Sequence, residues 1–375
     1  QILVSDENPD SLAKEYQGFR KFIDDKWSAG NGCGQNDSAI RLSNSKLFSD
    51  SLGIRSAFYV DWDPQAFFSL RRNINKLNLI IPEWMFFDPK GDSLIIRKDK
   101  RGYDLIKQTK GLRVMPMLTN NINGKWDGAV LSRILNNRSK SEKLINDLYK
   151  WIKSEGFAGI NIDFEELVEN DNSILTKFLK KLSDRFHAGG LLTSVDVMPF
   201  NEDYDYAALA AHTDYIFLMA YDQYTSSTKP GPISGQKWIE AAVDQIVQKV
   251  PIPKLVLCIA GFGYDWPKGG EGSDVTYQQA LSIAKENNSK IIYDNDSYNL
   301  YFTYKDKLGH EREVHFTDAA TNFNSIRFST EYGFAGTALW RMGSEDSRLW
   351  EFYHLPMNKA SVQKFNFEEF TKVET

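Results

Sequence analysis

Cysteine is scarce in this chain of 375 residues: only Cys33 and Cys258 occur. Two are too few for a disulfide framework or a thiolate metal site of the usual spacing. A chain of this size buries a core without such staples, so the shortage leaves the compartment open. An excess of positive charge is missing too. The 45 basic and 50 acidic residues leave a net charge of −5, which argues against a general nucleic-acid binder. No apolar run approaches the roughly 20 residues of a membrane-spanning helix. No Gly-x-Ser-x-Gly elbow occurs, which removes the usual signature of a serine hydrolase. The five histidines, His187, His212, His310, His315 and His354, show no metal-ligand spacing. Internal repeats and low-complexity tracts are absent as well.

What is present is the mixture of a folded protein, 42% hydrophobic and 25% charged. The polar start at Gln1 carries no signal sequence and reads as a mature or excised chain. Leu12–Trp27 suits a short helix, and the turn-rich stretch from Ser28 to Gly34 follows it. From Ser56 a rhythm sets in. Apolar runs at 57–62, 77–84, 112–118, 157–165, 191–197, 215–221, 254–261 and 334–340 read as eight strands. Helical patterns separate them. Ser141 is placed to cap a helix with Leu144, Ile145, Leu148, Trp151 and Ile152 on one face, stopped by Gly156. Residues 174–186, up to Gly189-Gly190, and residues 238–250 repeat the pattern. Strand–helix alternation implies a parallel sheet, and eight strands suggest an α/β fold closed as a (β/α)8 TIM barrel. A doubly wound sheet is the rival, weakened because no GxGxxG turn follows the first strand.

Between the last two strands the chain is too long for one helix. Residues 290–293, 298–304 and 313–316, with a turn at Lys307-Leu308-Gly309, alternate like a β-hairpin and predict a small β-rich insertion. The glycine-rich run 261–270 lacks the Lys-Ser/Thr ending of a phosphate loop and reads as a loop at the barrel mouth. The expected division is an N-terminal extension or linker over 1–50 and a barrel domain over 51–355. The insertion lies at about 267–333, and a C-terminal tail follows over 356–375.

Chemistry concentrates in Gly159-Ile-Asn-Ile-Asp-Phe-Glu165. Side chains alternate across a strand, so Asn161, Asp163 and Glu165 share one face, while Ile160, Ile162 and Phe164 share the other. In a barrel the apolar set packs under the helices and the polar set enters the lumen, with Glu165 at the mouth. Burying such groups without partners costs about 2–7 kcal/mol each, which a fold alone does not require. A second carboxylate two residues back raises the pKa of an acid by like-charge repulsion. Asp163 and Glu165 are therefore candidates for acid catalysis, set against the plainer reading of two acids that end a strand beside solvated cations.

This run resembles the strand-four signature D-G-x-D-x-D-x-E of glycoside hydrolase family 18, the chitinase-like barrels. Aligned on it, Glu165 matches the general acid and Asp163 the assisting aspartate. Asn161 stands at the middle aspartate and Ala158 at the first. Asn at that place is similar to the branch of spore cortex-lytic N-acetylglucosaminidases. Met219, Tyr221 and Asp222 resemble the strand-six M-x-Y-D motif, and Trp340 resembles the strand-eight tryptophan that floors the sugar subsite. Gly343–Trp350 is again similar to the cortex-lytic branch. The family's strand-three S-x-G-G is missing, and residues 116–121 stand in its place. Asp61-Trp62-Asp63 and Pro82-Glu83-Trp84 look more like bacterial fusions with polysaccharide deacetylase and glycosyltransferase domains.

The resemblance implies a substrate-assisted, retaining glycoside hydrolase acting on β-linked N-acetylglucosamine polymers, with no metal and no cofactor. Glu165 would protonate the leaving oxygen, Asp163 would hold the acetamido N–H, and Tyr221 its oxygen. Trp340 would stack under the ring. Asn161, Met219 and Asp222 complete the implied binding set. Trp84, Tyr59, Asp196 and Tyr264 lie near predicted strand ends and are candidates to line a sugar groove. The expected partner is a polysaccharide or oligosaccharide containing N-acetylglucosamine, together with further domains of a larger membrane-anchored chain; nucleic acid is not expected. Extracytoplasmic exposure follows from that substrate. The alternative is a weak or inactive carbohydrate-binding barrel that guides a polysaccharide to a partner domain. A cation-binding scaffold built on the acidic run is a third reading.

Overall fold

The computed structural model describes residues 53–88, 93–122, 124–168 and 172–355. The expected N-terminal extension with its helix at 12–27, and the tail over 356–375, lie outside these. Eight parallel strands close into a ring: β1 (Ile54–Tyr59), β2 (Leu79–Phe87), β3 (Met117–Thr119), β4 (Gly159–Asp163), β5 (Leu192–Val197), β6 (Tyr215–Met219), β7 (Leu255–Ala260) and β8 (Gly336–Trp340). Each pairs with its sequence neighbours, and β8 returns to β1 with Ile54 opposite Gly336. The protein is a (β/α)8 barrel. The third run is shorter than its apolar stretch, because Pro116 has no N–H to give a ladder and splits Arg113–Val114 from β3.

Alternation along the strands sorts the apolar residues into two cores. Phe58, Ile81, Met117, Phe217, Met219 and Cys258 fill the lumen. Ile80, Leu118, Ile160, Ile162, Leu218 and Leu257 face outward and pack under the helices. The outer layer includes the helix Arg138–Glu155, which buries Leu144, Ile145, Leu148 and Ile152. Its cap is Asn137, whose side chain accepts the Lys140 N–H at 3.0 Å, rather than Ser141, which lies buried in the first turn. Gly156 ends it at φ 67°, a conformation glycine adopts without strain. The helices Asn172–His187 and Gln236–Ile246 present the apolar faces read from the sequence.

A five-stranded antiparallel sheet sits between β7 and β8, in the order 273–276, 262–267, 311–316, 300–305 and 292–293. The helix Tyr277–Glu286 packs Tyr277, Ala280 and Ala284 against this sheet. The glycine-rich run is thus not a loop. Phe262–Pro267 is a central strand whose aromatics alternate with small or polar residues, a period-2 signal hidden by the glycines. The sheet ends at Phe316, and the helix Ala319–Tyr332 returns the chain to the barrel wall against β7.

Candidate active site

The C-terminal ends of the strands surround an open cleft. It is lined by Trp126, Asp163, Glu165, Asp196, Met198, Met219, Tyr221, Asp222 and Trp340. Six residues singled out from the three strand motifs therefore meet in one place: Asp163, Glu165, Met219, Tyr221, Asp222 and Trp340. Asp196, named as a groove candidate, joins them from β5.

β4 aims its polar face inward, as its alternation requires. Asn161 is fully buried beneath the cleft, and its amide donates to Ser194 Oγ at 3.0 Å and Asp196 Oδ1 at 2.7 Å. Asp163 lies one step higher and hydrogen-bonds Thr119 of β3. Its Oδ1 is buried and accepts no hydrogen bond from the described residues, an arrangement that favours the protonated acid. Burial, then the charge of Glu83, push Asp163 up to about 7. Glu165 stands half-buried just beyond the strand end. Burial, then the nearby charges of Asp163, Asp222 and Asp196, hold it well above the usual carboxylate range. That shift favours the protonated form, the state a general acid needs.

The other walls hold that constellation in place. Asp222 follows β6 at φ 60°, a left-handed turn that Asp tolerates better than most residues. That turn brings its carboxylate to the Tyr264 hydroxyl, which donates at 2.8 Å. Burial pushes Asp222 up to about 7, and the Tyr264 bond opposes the shift. Tyr221 meets the edge of Phe262 at 5.8 Å. Both Tyr264 and Phe262 belong to the inserted sheet, so the insertion forms one side of the site. Tyr264 acts through Asp222 rather than as an open groove residue, since it is itself buried. Trp340 rests on Phe58 at 5.2 Å and is followed by a cis peptide to Arg341.

Three expected binding residues do not line the cleft: Asn161 lies beneath it, and Tyr59 and Trp84 are elsewhere. Tyr59 and Trp84 are buried in the outer core, under the helices rather than over the lumen. Trp84 packs against Tyr103 and Phe157. Gly102 comes so close to Tyr59 that a Cβ there would meet the ring at 2.6 Å. The residues next to them in sequence, Phe58 and Glu83, point inward instead. Three contributors escaped the sequence reading. Trp126 comes from a hairpin, Asn121–Ile122 with Lys125–Trp126, that no barrel motif marks. Asn120 secures the backbone of Glu165. Glu83, although named within Pro82-Glu83-Trp84, was passed over for its aromatic neighbour.

A closed barrel with two neighbouring carboxylates, a tyrosine and a tryptophan lining one cleft at its C-terminal mouth has the architecture of a glycoside hydrolase. Residues 44–346 match glycosyl hydrolases family 18, and the chain belongs to that family. It is 27% identical to the cortical fragment-lytic enzyme of Bacillus subtilis over 259 residues, 65% of this chain and 60% of that relative. The chain thus spans less than two thirds of that relative's length. Among solved structures, a chitinase from Chromobacterium violaceum superposes with a TM-score of 0.74 at 25% identity, covering 80% of this chain and 97% of the other. The spore cortex-lytic enzyme SleL of Bacillus megaterium gives 0.72 at 25% identity, covering 80% and 73%.

Proposed function

We propose that this chain hydrolyses β-linked glycans containing N-acetylglucosamine by substrate-assisted, retaining catalysis. The observation that carries the reading is Glu165. It stands at the mouth of the barrel, pushed towards its protonated form by burial and by Asp163 behind it, in the same cleft as Tyr221 and Trp340. The family and its chitin- and cortex-directed relatives support a substrate bearing 2-acetamido sugars.

The steps follow from the chemistry of such a sugar. The acetamido oxygen attacks the anomeric carbon of its own ring as the glycosidic C–O bond breaks. Glu165 gives its proton to the departing oxygen and becomes a carboxylate. The ring and acetamido group then form a positively charged oxazolinium. Asp163 accepts the acetamido N–H and, once ionised, stabilises that charge. Tyr221 donates to the acetamido oxygen and holds its angle of attack, an orientation effect able to carry large rate factors. Trp340 supports the ring from below. Glu165 finally takes a proton from water as that water opens the oxazolinium, which restores the acid and retains the anomeric configuration.

Chitin-type, peptidoglycan-type and exopolysaccharide substrates all carry this group, and their location puts the site outside the cytoplasm. The further domains of a membrane-anchored chain belong to the same reading. The test is hydrolysis of β-1,4 and β-1,6 N-acetylglucosamine oligomers by the wild type and by Glu165→Gln, followed by mass spectrometry. Cleavage lost in the variant supports the acid and identifies the linkage. Absence of cleavage with equal binding by both proteins overturns it in favour of a barrel that only guides the polysaccharide.

A further inference from the structure

We infer that Tyr204 is a positioning residue for Glu165, gripping with its hydroxyl the peptide that carries the acid. The grip stands on geometry; its kinetic consequence rests on the hydrolase reading above.

β4 ends at Asp163, and its last pair with β5 is Ile162 opposite Val195. The Phe164 carbonyl therefore lies past the ladder on that side. Tyr204, in the segment that follows β5, donates its hydroxyl to this carbonyl at 2.9 Å. A buried tyrosine needs a partner for its hydroxyl. Here the partner is the carbonyl between Asp163 and Glu165, in the turn that bears the acid. The Phe164 ring is fixed as well, outward in the core against Phe87 at 5.8 Å and Phe178 at 6.1 Å.

The Phe164 C=O and the Glu165 N–H belong to one peptide plane and point to opposite edges of it. The N–H edge is held from the β3 side, where Asn120 Oδ1 accepts it at 2.9 Å. The C=O edge is held from the β5 side by Tyr204. A plane held at one edge still rocks about that bond and swings the side chain that follows. A plane held at both edges rocks only by breaking a bond. Asn120 also donates to the Glu165 carbonyl at 2.8 Å, but from its own side, so it does not replace Tyr204.

Tyr204 is itself fastened. It is 4% exposed and belongs to the outer core. Asp205, the next residue, caps the helix Tyr206–His212 by accepting the Ala208 N–H at 3.1 Å. The Tyr206 hydroxyl donates to the Met198 carbonyl at 2.7 Å and accepts the Asn201 N–H at 3.0 Å, which ties the segment back to the end of β5. Tyr204 is not among the residues that line the cleft, so its effect on the reaction passes through Glu165.

The test compares the whole chain with Tyr204→Phe, which removes the hydroxyl and keeps the ring. Amide hydrogen–deuterium exchange followed by mass spectrometry needs no substrate. In the variant the Glu165 amide, read in peptides covering 164–168, is expected to exchange roughly 5- to 10-fold faster, with 159–162 unchanged. On an oligomer that the wild type cleaves, kcat is expected to fall about 10-fold with KM within about twofold. A hydroxyl that serves stability alone would speed exchange throughout the barrel and lower kcat only with the folded fraction, and that outcome overturns the inference. A folded variant in which either the exchange of 164–168 or kcat is unchanged overturns it too. Should Tyr204→Phe not fold, the wild type decides. A gripped Glu165 amide exchanges as slowly as those of β4 although it lies outside the ladder, and exchange at the rate of an exposed loop overturns the inference. A wild type that cleaves no oligomer defeats the hydrolase reading, and exchange alone then decides the grip.

Discussion

Asn120 holds Glu165 by its backbone from both sides. Its Oδ1 accepts the Glu165 N–H at 2.9 Å, and its Nδ2 donates to the Glu165 carbonyl at 2.8 Å. Asn120 directly follows β3 and is fully buried, so one amide locks the second residue after β4 to the neighbouring strand. Glu165 lies beyond the last ladder bond of β4, where a sheet no longer positions the chain. The turn continues through Glu166 at φ 50°. Asn120 therefore supplies the rigidity the strand has given up.

Replacing Asn120 by Ala removes both bonds and frees the acid to wander. Misplacement by about 1 Å costs a catalytic group on the order of 10²-fold, so kcat is expected to fall about 10–100-fold while KM changes far less. Steady-state kinetics on a cleaved oligomer checks this. Equal losses in kcat and in folded fraction would show that the clamp serves stability alone.

The buried acids make stability depend on pH in a definite direction. Glu83, Asp163 and Asp222 sit at about 7 in the folded protein, raised from 4.5, 3.8 and 3.8. Groups raised on folding bind more protons in the native state, so their stabilisation is complete below the unfolded values and is lost as pH rises through about 7. The melting temperature is expected to fall between about pH 4.5 and pH 7 and then level off. Glu83→Gln and Asp163→Asn should each flatten that slope and raise the melting temperature at pH 8. Calorimetry across this window decides it. A melting temperature that climbs from pH 4.5 to 7 would mean the acids are more hydrated than the packing indicates.

Much of this site was legible because it lies on strands with clean alternation. Gly159–Glu165 declared its inward face by the apolar set opposite, and Met219-Ala220-Tyr221-Asp222 did so through its motif. The failures share one cause. Tyr59 and Trp84 are aromatic and near a strand end, which does not fix which parity of β1 and β2 faces the lumen. On β2 the register shifts between Glu83 and Met85, so proximity to the strand end carries no phase. Each error is one residue wide, and one residue turns a side chain to the other face. Trp126 and Asn120 left no periodic signal, because a hairpin and a strand end place them. The strand at Phe262–Pro267 was hidden by the glycines that let it pack closely.

Tyr221 and Trp340 line the same cleft but should fail differently when altered. Tyr221→Phe removes a donor that, on the proposed function, sets the angle of attack. It is expected to lower kcat about 10–100-fold with little change in KM. Trp340→Ala removes a cleft-lining ring and its contact with Phe58, and on the proposed function that ring supports the sugar before any bond breaks. KM is expected to rise as well. Initial-rate curves for both variants on one oligomer separate the two effects. Identical patterns would undo the division of labour between them.

The inserted sheet reaches the active site through a glycine. A Cβ on Gly263 would lie 2.3 Å from the His315 carbonyl oxygen and 2.5 Å from the Phe316 Cβ. The oxygen is backbone of the paired strand, so it cannot swing aside as a flexible side chain would. Gly263→Ala therefore has to push Phe262–Pro267 away from Glu311–Phe316, at about 1–3 kcal/mol of overpacking. That strand carries Tyr264, which holds Asp222, and Phe262, which backs Tyr221. Activity is expected to fall together with stability. Tyr264→Phe separates the causes, because it removes the bond to Asp222 and keeps the packing. It should lower kcat while leaving the melting temperature within a few degrees of the wild type. Full activity in Tyr264→Phe would reduce the insertion to a buttress for the barrel and remove it from the catalytic wall.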